Sequence, residues 1–568
     1  MDRKALLAVM LMMVIAIVPS FFLKKGGQAD GRTGGPGADT VQSTISAVPA
    51  PQAPGQPAAG GQAGRATDAL GLAPAPAPAA DDTIAVRAGL ATYEFSTRGG
   101  RLVQATIEKY RMTIPGRKEE PVTLVKPDTA LFGGLLVTGR DTIRLGDVTF
   151  TASAPALTIQ QPGDALVLTG QAGTRTVQLT YRFEPAEYRF RVEGSVTGVD
   201  ASGGILFLPL GAGIRNTEGD SATNFQSAAY VTRTLEGATR HDIASLDAGE
   251  ADTVSGPFDW VAVKSKYFVT AVLAGDSAAG ARLSAVQAIA NPAPEKVVAA
   301  RVTVTLPVPA SGRFAYEVYA GPMEYGRLAR VGREFDDVNP YGWPGFRTLI
   351  RFFAQPVRAL LVWMHESLTL SYGLVLIAFG ILVRVVLWPL NQKAMEASMA
   401  MQAIQPELEA LKARYGKDPQ RFQQEQVKLF KERNVNPFGS CWPMLLPMPI
   451  LLALFFVLQY SIELRGTSFL WLPDLSLADP FYVVPIVMGG SMWVLYKVGQ
   501  AGMPPNPQQQ MMTWMMPIMM TVMFLNFSSG LNLYYAISNI ASIPQQWLIA
   551  RARMRAGGPV GQRAAGKS

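Results

Sequence analysis

One cysteine, Cys441, and two histidines, His241 and His365, are all that 568 residues hold of the side chains most used for metal binding and thiol chemistry. A lone thiol forms no intrachain disulfide, and no Cys/His metal spacing is present. Neither H-E-x-x-H nor G-x-S-x-G occurs, so metallohydrolase and serine-hydrolase chemistry lack their parts. Charge is scarce as well: Asp, Glu, Lys and Arg make up 17% of the chain and mean hydropathy is +0.15. That excludes a purely soluble, highly charged protein and no cofactor is called for.

What the chain does have is apolar length. Its 23 Met and 9 Trp crowd the C-terminal third, the composition of an integral membrane protein with a soluble portion. The net charge is +8, part of it in a tail holding Arg551, Arg553, Arg555, Arg563 and Lys567 without one acid. Such a tail suits anionic lipid or RNA, and equally serves as a positive-inside topology signal.

Composition divides the chain. Residues 1–25 read as an uncleaved N-terminal transmembrane anchor, because the apolar stretch Ala5 to Leu23 ends in Lys24 and Lys25 without a small-residue cleavage site. Residues 26–82, rich in Pro, Ala and Gly, bury little and form a tether. Across 83–340, short alternating runs with Gly, Asp and Pro breaks predict an all-β sandwich-like domain; Val177, Leu179, Tyr181 and Phe183 share one face, and Val302, Val304 and Leu306 another. Residues 341–367 mix Leu349, Ile350, Phe353 and Val357 with Arg347, Arg351 and Arg358, the pattern of an amphipathic helix in the membrane surface or of a helix packed on the β domain.

Within 368–550, spans are predicted near 371–390, 442–459, 481–498, 511–527 and 531–549. With the anchor this makes six transmembrane helices. Between the first two of these five, residues 391–440 form a charged helical hairpin, with Ile404, Leu408, Leu411 and Tyr415 at helical spacing and a GKDP turn. Loop charge puts the hairpin and the basic tail 551–568 in the cytoplasm, since the 461–480 loop carries Glu463, Asp474 and Asp479 against Arg465 alone. The β domain then lies outside and both termini inside.

Arg384 stands in the middle of the 371–390 run. Near a bilayer midplane an arginine costs roughly 2.5–3.5 kcal/mol, so it faces a bundle interior or a wet cavity and marks function. The helix MMTWMMPIMMTVMF is rich in methionine, which suits either bundle packing or a surface that accepts many apolar partners. The last eight residues, GQRAAGKS, satisfy the P-loop pattern but have no strand before and no helix after, so no nucleotide site is expected.

The stretch LVRVVLWPL around Arg384, the hairpin ending NVNPFGSCWPMLLPMPI, and FSSGLNLYYAISNIASIPQQWLI together resemble the YidC/Oxa/Alb family of membrane protein insertases. FDWVAVKSKYFVTAVL in a tethered β domain resembles the periplasmic domain of the Gram-negative branch. The resemblance implies five spans forming an insertase core around a hydrophilic groove, open to cytoplasm and lipid, with Arg384 as the groove charge. It implies substrate contact at Trp442, Met448, Leu451 and Tyr535, with Tyr534 adjoining. Pro447 departs from the family, many of whose members carry a polar glutamine there, and Gly380 stands where a relative has a hydroxyl.

These residues point to a non-enzymatic insertase and chaperone of the bacterial inner membrane. Nascent membrane proteins would dock on the aromatic residues while their polar flank meets Arg384, alone or with the Sec translocon and its accessory subunits, without nucleotide. Ribosome and signal-recognition contacts fit the hairpin and tail. A polytopic transporter using an intramembrane arginine is the rival; it would want paired repeats and intramembrane acids, which the sequence lacks.

Overall fold

A computed structural model describes residues 83–126, 129–139, 141–275, 282–291, 299–339, 347–415, 418–433, 448–502 and 507–555. The expected anchor and tether, Cys441, Trp442, Pro447 and the GQRAAGKS terminus lie outside the described residues, as does the side chain of Met448.

Twenty strands and two short helices, α1 (Ser221–Gln226) and α2 (Tyr325–Val331), are described ahead of residue 339. The strands form sheets of five, nine and six. The strand Arg175–Phe183 shows why they pack: Val177, Leu179, Tyr181 and Phe183 alternate inward, as a period of two requires. From the five-stranded sheet, the Phe95 ring reaches 4.7 Å from Tyr181 and 6.0 Å from Phe183, so two sheets meet across an aromatic core. Val302, Val304 and Leu306 are buried likewise on Ala300–Val308. The domain is β-rich rather than purely β, because Asp220 accepts from the Thr223 N–H at 3.0 Å and caps α1.

Beyond it the described chain is helical. Helix α3 (Arg347–Leu368) buries Ile350, Ala354, Leu361 and Met364 against its neighbours. Two of its arginines are paired: Arg351 bonds Asp337 and Asp336 of the β domain at 2.7 and 2.9 Å, and Arg358 bonds Glu463 of the 461–480 loop at 2.6 Å. The remaining face exposes Phe352 and Trp363. So α3 presents apolar side chains on its outer face as well as its inner one, with two arginines engaged in ion pairs on the inner side.

Helix α4 (Tyr372–Ala403) is 32 residues long, about 48 Å at 1.5 Å per residue. The helix that contains the span expected near 371–390 runs on into the residues expected to start the helical hairpin, because NQKAMEASMAMQA holds good helix formers and no breaker. Helices α5 (Gln405–Tyr415) and α6 (Pro419–Glu432) follow and pack together, with Asp418 capping α6 through the Arg421 N–H.

Four helices complete the chain: α7 (Met448–Tyr460), α8 (Val483–Gly499), α9 (Pro507–Phe524) and α10 (Ser529–Arg555). Helix α9 stops three residues before the expected 527, where the Asn532 amide donates to the Phe524 carbonyl at 3.0 Å. Helix α8 starts at Val483 because Asp479 accepts from the Phe481 and Val484 N–H groups. Helix α10 runs through 549 to Arg555, so the first arginines of the expected tail are helical; Arg551 lies 5.2 Å over the Trp547 ring. Among described helices, Tyr372–Pro389 is long and apolar enough to cross a membrane, and Pro449–Tyr460, Val483–Gly499 and Thr513–Phe524 are shorter apolar segments.

Candidate functional site

Helices α4 and α10 meet in close contact. Gly380 permits it, since a Cβ there would meet Ile537 Cγ2 at 3.2 Å and Tyr534 Cδ2 at 3.7 Å. A side chain at this position would sit tight against Ile537 of α10.

One turn further, Arg384 is half-buried and its Nε donates to Ser538 Oγ at 2.7 Å. The hydroxyls of Tyr534 and Tyr535 are close enough to interact with its charge. Among the described residues no carboxylate lies at ion-pair distance from Arg384. A guanidinium in such surroundings holds strong, unspent attraction for a visiting carboxylate or carbonyl.

Below Ser538 the polar side chains of α10 have inward tasks. Ser542 Oγ donates to the Ser538 carbonyl at 2.8 Å, Gln545 Nε2 donates to the Trp388 carbonyl on α4 at 3.0 Å, and Asn539 Nδ2 donates to Ser491 Oγ on α8 at 3.3 Å. The seam therefore fastens α4 and α8 to α10 by hydrogen bonds, which gain strength in apolar surroundings.

Outside this seam the helices are greasy. Val385 and Val386, which follow Arg384 in sequence, are 61% and 64% exposed, and α9 exposes Trp514, Met515, Ile518 and Val522 at helical spacing. Contiguous exposed apolar faces of this extent call for lipid or a passing apolar segment. A charge on the inner side with apolar surface outside is the arrangement in which a segment can keep a polar flank wet while its apolar part enters lipid.

Of the sequence-predicted residues, the structure brings Arg384, Tyr534 and Tyr535 together. Tyr534 is 1% exposed and packed 6.0 Å from the Phe379 ring, so it belongs to the α4–α10 contact. Tyr535 is half-buried, edge-on to Phe524 at 5.6 Å. Leu451 is half-buried on α7, apart from the buried cluster that joins the helices. Trp442 lies outside the described residues and Met448 is described by its backbone alone. Sequence reasoning missed Ser538; the signal was a small polar residue four positions after Tyr534, one helical turn along, inside an apolar span.

Comparison with known proteins covers both halves. Residues 83–360 match the family described as YidC periplasmic domain, and residues 363–556 match the family described as 60Kd inner membrane protein. The membrane protein insertase YidC of Vibrio atlanticus (strain LGP32) is 32% identical over 536 residues, covering 91% of this chain and 95% of that one. Its counterpart in Anaeromyxobacter sp. (strain Fw109-5) is 31% identical over 473 residues, 80% of this chain and 82% of that one. A solved structure of an active YidC insertase with the first transmembrane domain resolved is 16% identical, covers 83% of this chain and 93% of that one, and has a TM-score of 0.33.

Proposed function

The chain belongs to the YidC family of membrane protein insertases, and we propose that it transfers apolar segments of nascent membrane proteins from the cytoplasm into the inner membrane through a groove charged by Arg384. It is an insertase and not an enzyme, with a β-rich periplasmic domain and a helical membrane half.

The observation that carries the mechanism is Arg384 tethered, among the described residues, through Nε to Ser538, between exposed apolar faces, with no described carboxylate to neutralise it. A nascent segment docks its apolar part against Leu451 and Tyr535, with Trp442 and Met448 as further contacts, while its polar flank meets the guanidinium. Passage of the apolar part into lipid supplies the driving force, at roughly 25 cal/mol per Å² removed from water. The membrane potential assists an acidic flank by about 2.3 kcal/mol per charge per 100 mV. Nucleotide has no part in this cycle.

We read six spans, five of them forming the core, with both termini and the α5–α6 hairpin cytoplasmic. The Sec translocon, and ribosome or signal-recognition contacts through the hairpin and the basic end of α10, are the partners this topology offers. Short apolar helices α7 and α9 serve as spans where the bilayer thins around them.

Reconstitution in liposomes with a short single-span substrate tests the reading. Wild type inserts it without an ATPase, Arg384→Ala loses at least about tenfold, as the loss of a charge-assisted bond predicts, and Arg384→Lys is intermediate because it keeps charge without the fork. Failure of wild type to insert, or full activity of Arg384→Ala, refutes it.

A further inference from the structure

A guanidinium offers two edges to a carboxylate, one including Nε and one formed by Nη1 and Nη2. Here the first is engaged: Nε donates to Ser538 Oγ at 2.7 Å, and Ser538 is 1% exposed. The serine itself is held in place. Its carbonyl accepts from Ser542 Oγ at 2.8 Å, its hydroxyl is within hydrogen-bonding reach of Tyr534, and the close contact at Gly380 sets α10 against α4 one turn away.

We infer that Ser538 is a positioning residue for insertion: by holding Nε it reserves the Nη1–Nη2 edge of Arg384 for carboxylates on the translocated flank of the passing segment. The inference rests on the groove reading above and sharpens it. An untethered arginine on four rotatable bonds would sample many orientations, and ordering it would weaken each encounter with a flank. A hydroxyl that accepts at Nε removes that disorder in advance without adding charge. A carboxylate there would have fixed the side chain too, but would also have neutralised it.

The test uses the full-length protein in liposomes and two single-span probes, identical except for two Asp or two Asn in the translocated tail. Ser538→Ala is expected to lower insertion of the Asp probe by about tenfold, the lower end of what losing a hydrogen bond to a charged group costs, and the Asn probe less than about twofold. Ser538→Thr restores both, and Arg384→Ala/Ser538→Ala is no worse than Arg384→Ala alone. Equal loss on both probes, no loss on either, or a threonine variant as defective as alanine overturns the inference. If wild type inserts neither probe, it is the groove reading that has failed, and the inference falls with it.

Discussion

His241 shows how a single residue can tie the β domain to pH. Its ring stacks on Tyr230 with centroids 4.4 Å apart, and Nδ1 lies 3.7 Å from Asp252. Burial pushes the imidazole below its usual range, and the nearby Asp252 and Asp242 only partly oppose this. A histidine whose folded value is lowered binds its proton more readily once unfolded, so stability is lost as pH falls below the unfolded value of about 6.5. The unfolding midpoint should therefore drop between about pH 7 and pH 5, with a shallower dependence in His241→Phe, which keeps the stacking and cannot titrate. Equal slopes in a pH series of thermal melts would show that another group governs this window.

At the scale of elements, adjacent glycines on α8 have opposite surroundings. A Cβ on Gly489 would run into Thr521 Oγ1 of α9, whereas one on Gly490 meets nothing within 4 Å. Gly489→Leu must push the two helices apart and should destabilise by about 1–3 kcal/mol, the range for overpacking. Gly490→Ala should be neutral or stabilise by up to about 1 kcal/mol through helix propensity. Thermal unfolding of both variants in detergent checks the pair; similar midpoints would mean that α8 and α9 do not pack as described. Both residues read alike in the sequence GG, and only the neighbouring helix distinguishes them.

Across the whole molecule the β domain and the helices are joined through the loop after α7. Arg465 Nε lies 3.0 Å from each oxygen of Glu218, both side chains being 2–3% exposed, and its Nη1 donates to the Arg111 carbonyl at 2.8 Å. Ile462 packs into the β-domain core while Leu464, two residues on, packs into the helical core. Nearby, Lys264 donates to Asn339 at 3.1 Å, and burial pushes its ammonium well below the usual lysine range. Arg465→Ala should destabilise by about 3–5 kcal/mol, because it strands a buried carboxylate, while Arg465→Met with Glu218→Leu should recover most of that loss. A denaturation series in detergent decides it: an unchanged Arg465→Ala midpoint would mean the pair bears little of the joint.

Local pattern was enough to determine much of this protein. Period-two runs placed Tyr181 and Val304 in the β core, apolar length marked Tyr372–Pro389 of α4 as able to cross a membrane, and the cost of a charge in an apolar run singled out Arg384. These follow from solvent and chain geometry alone, without knowledge of neighbours. How far the helices run beyond or short of the expected spans, to Phe524, Ala403 and Arg555, was set by a long-range bond or by the lack of a breaker. Glu463 and Asp479 counted in the sequence merely as loop charge, yet in the fold one pairs with Arg358 and the other caps α8. Ser538, 154 positions from Arg384, could not be chosen as its partner from spacing, because that hydrogen bond exists only where tertiary packing brings α4 against α10.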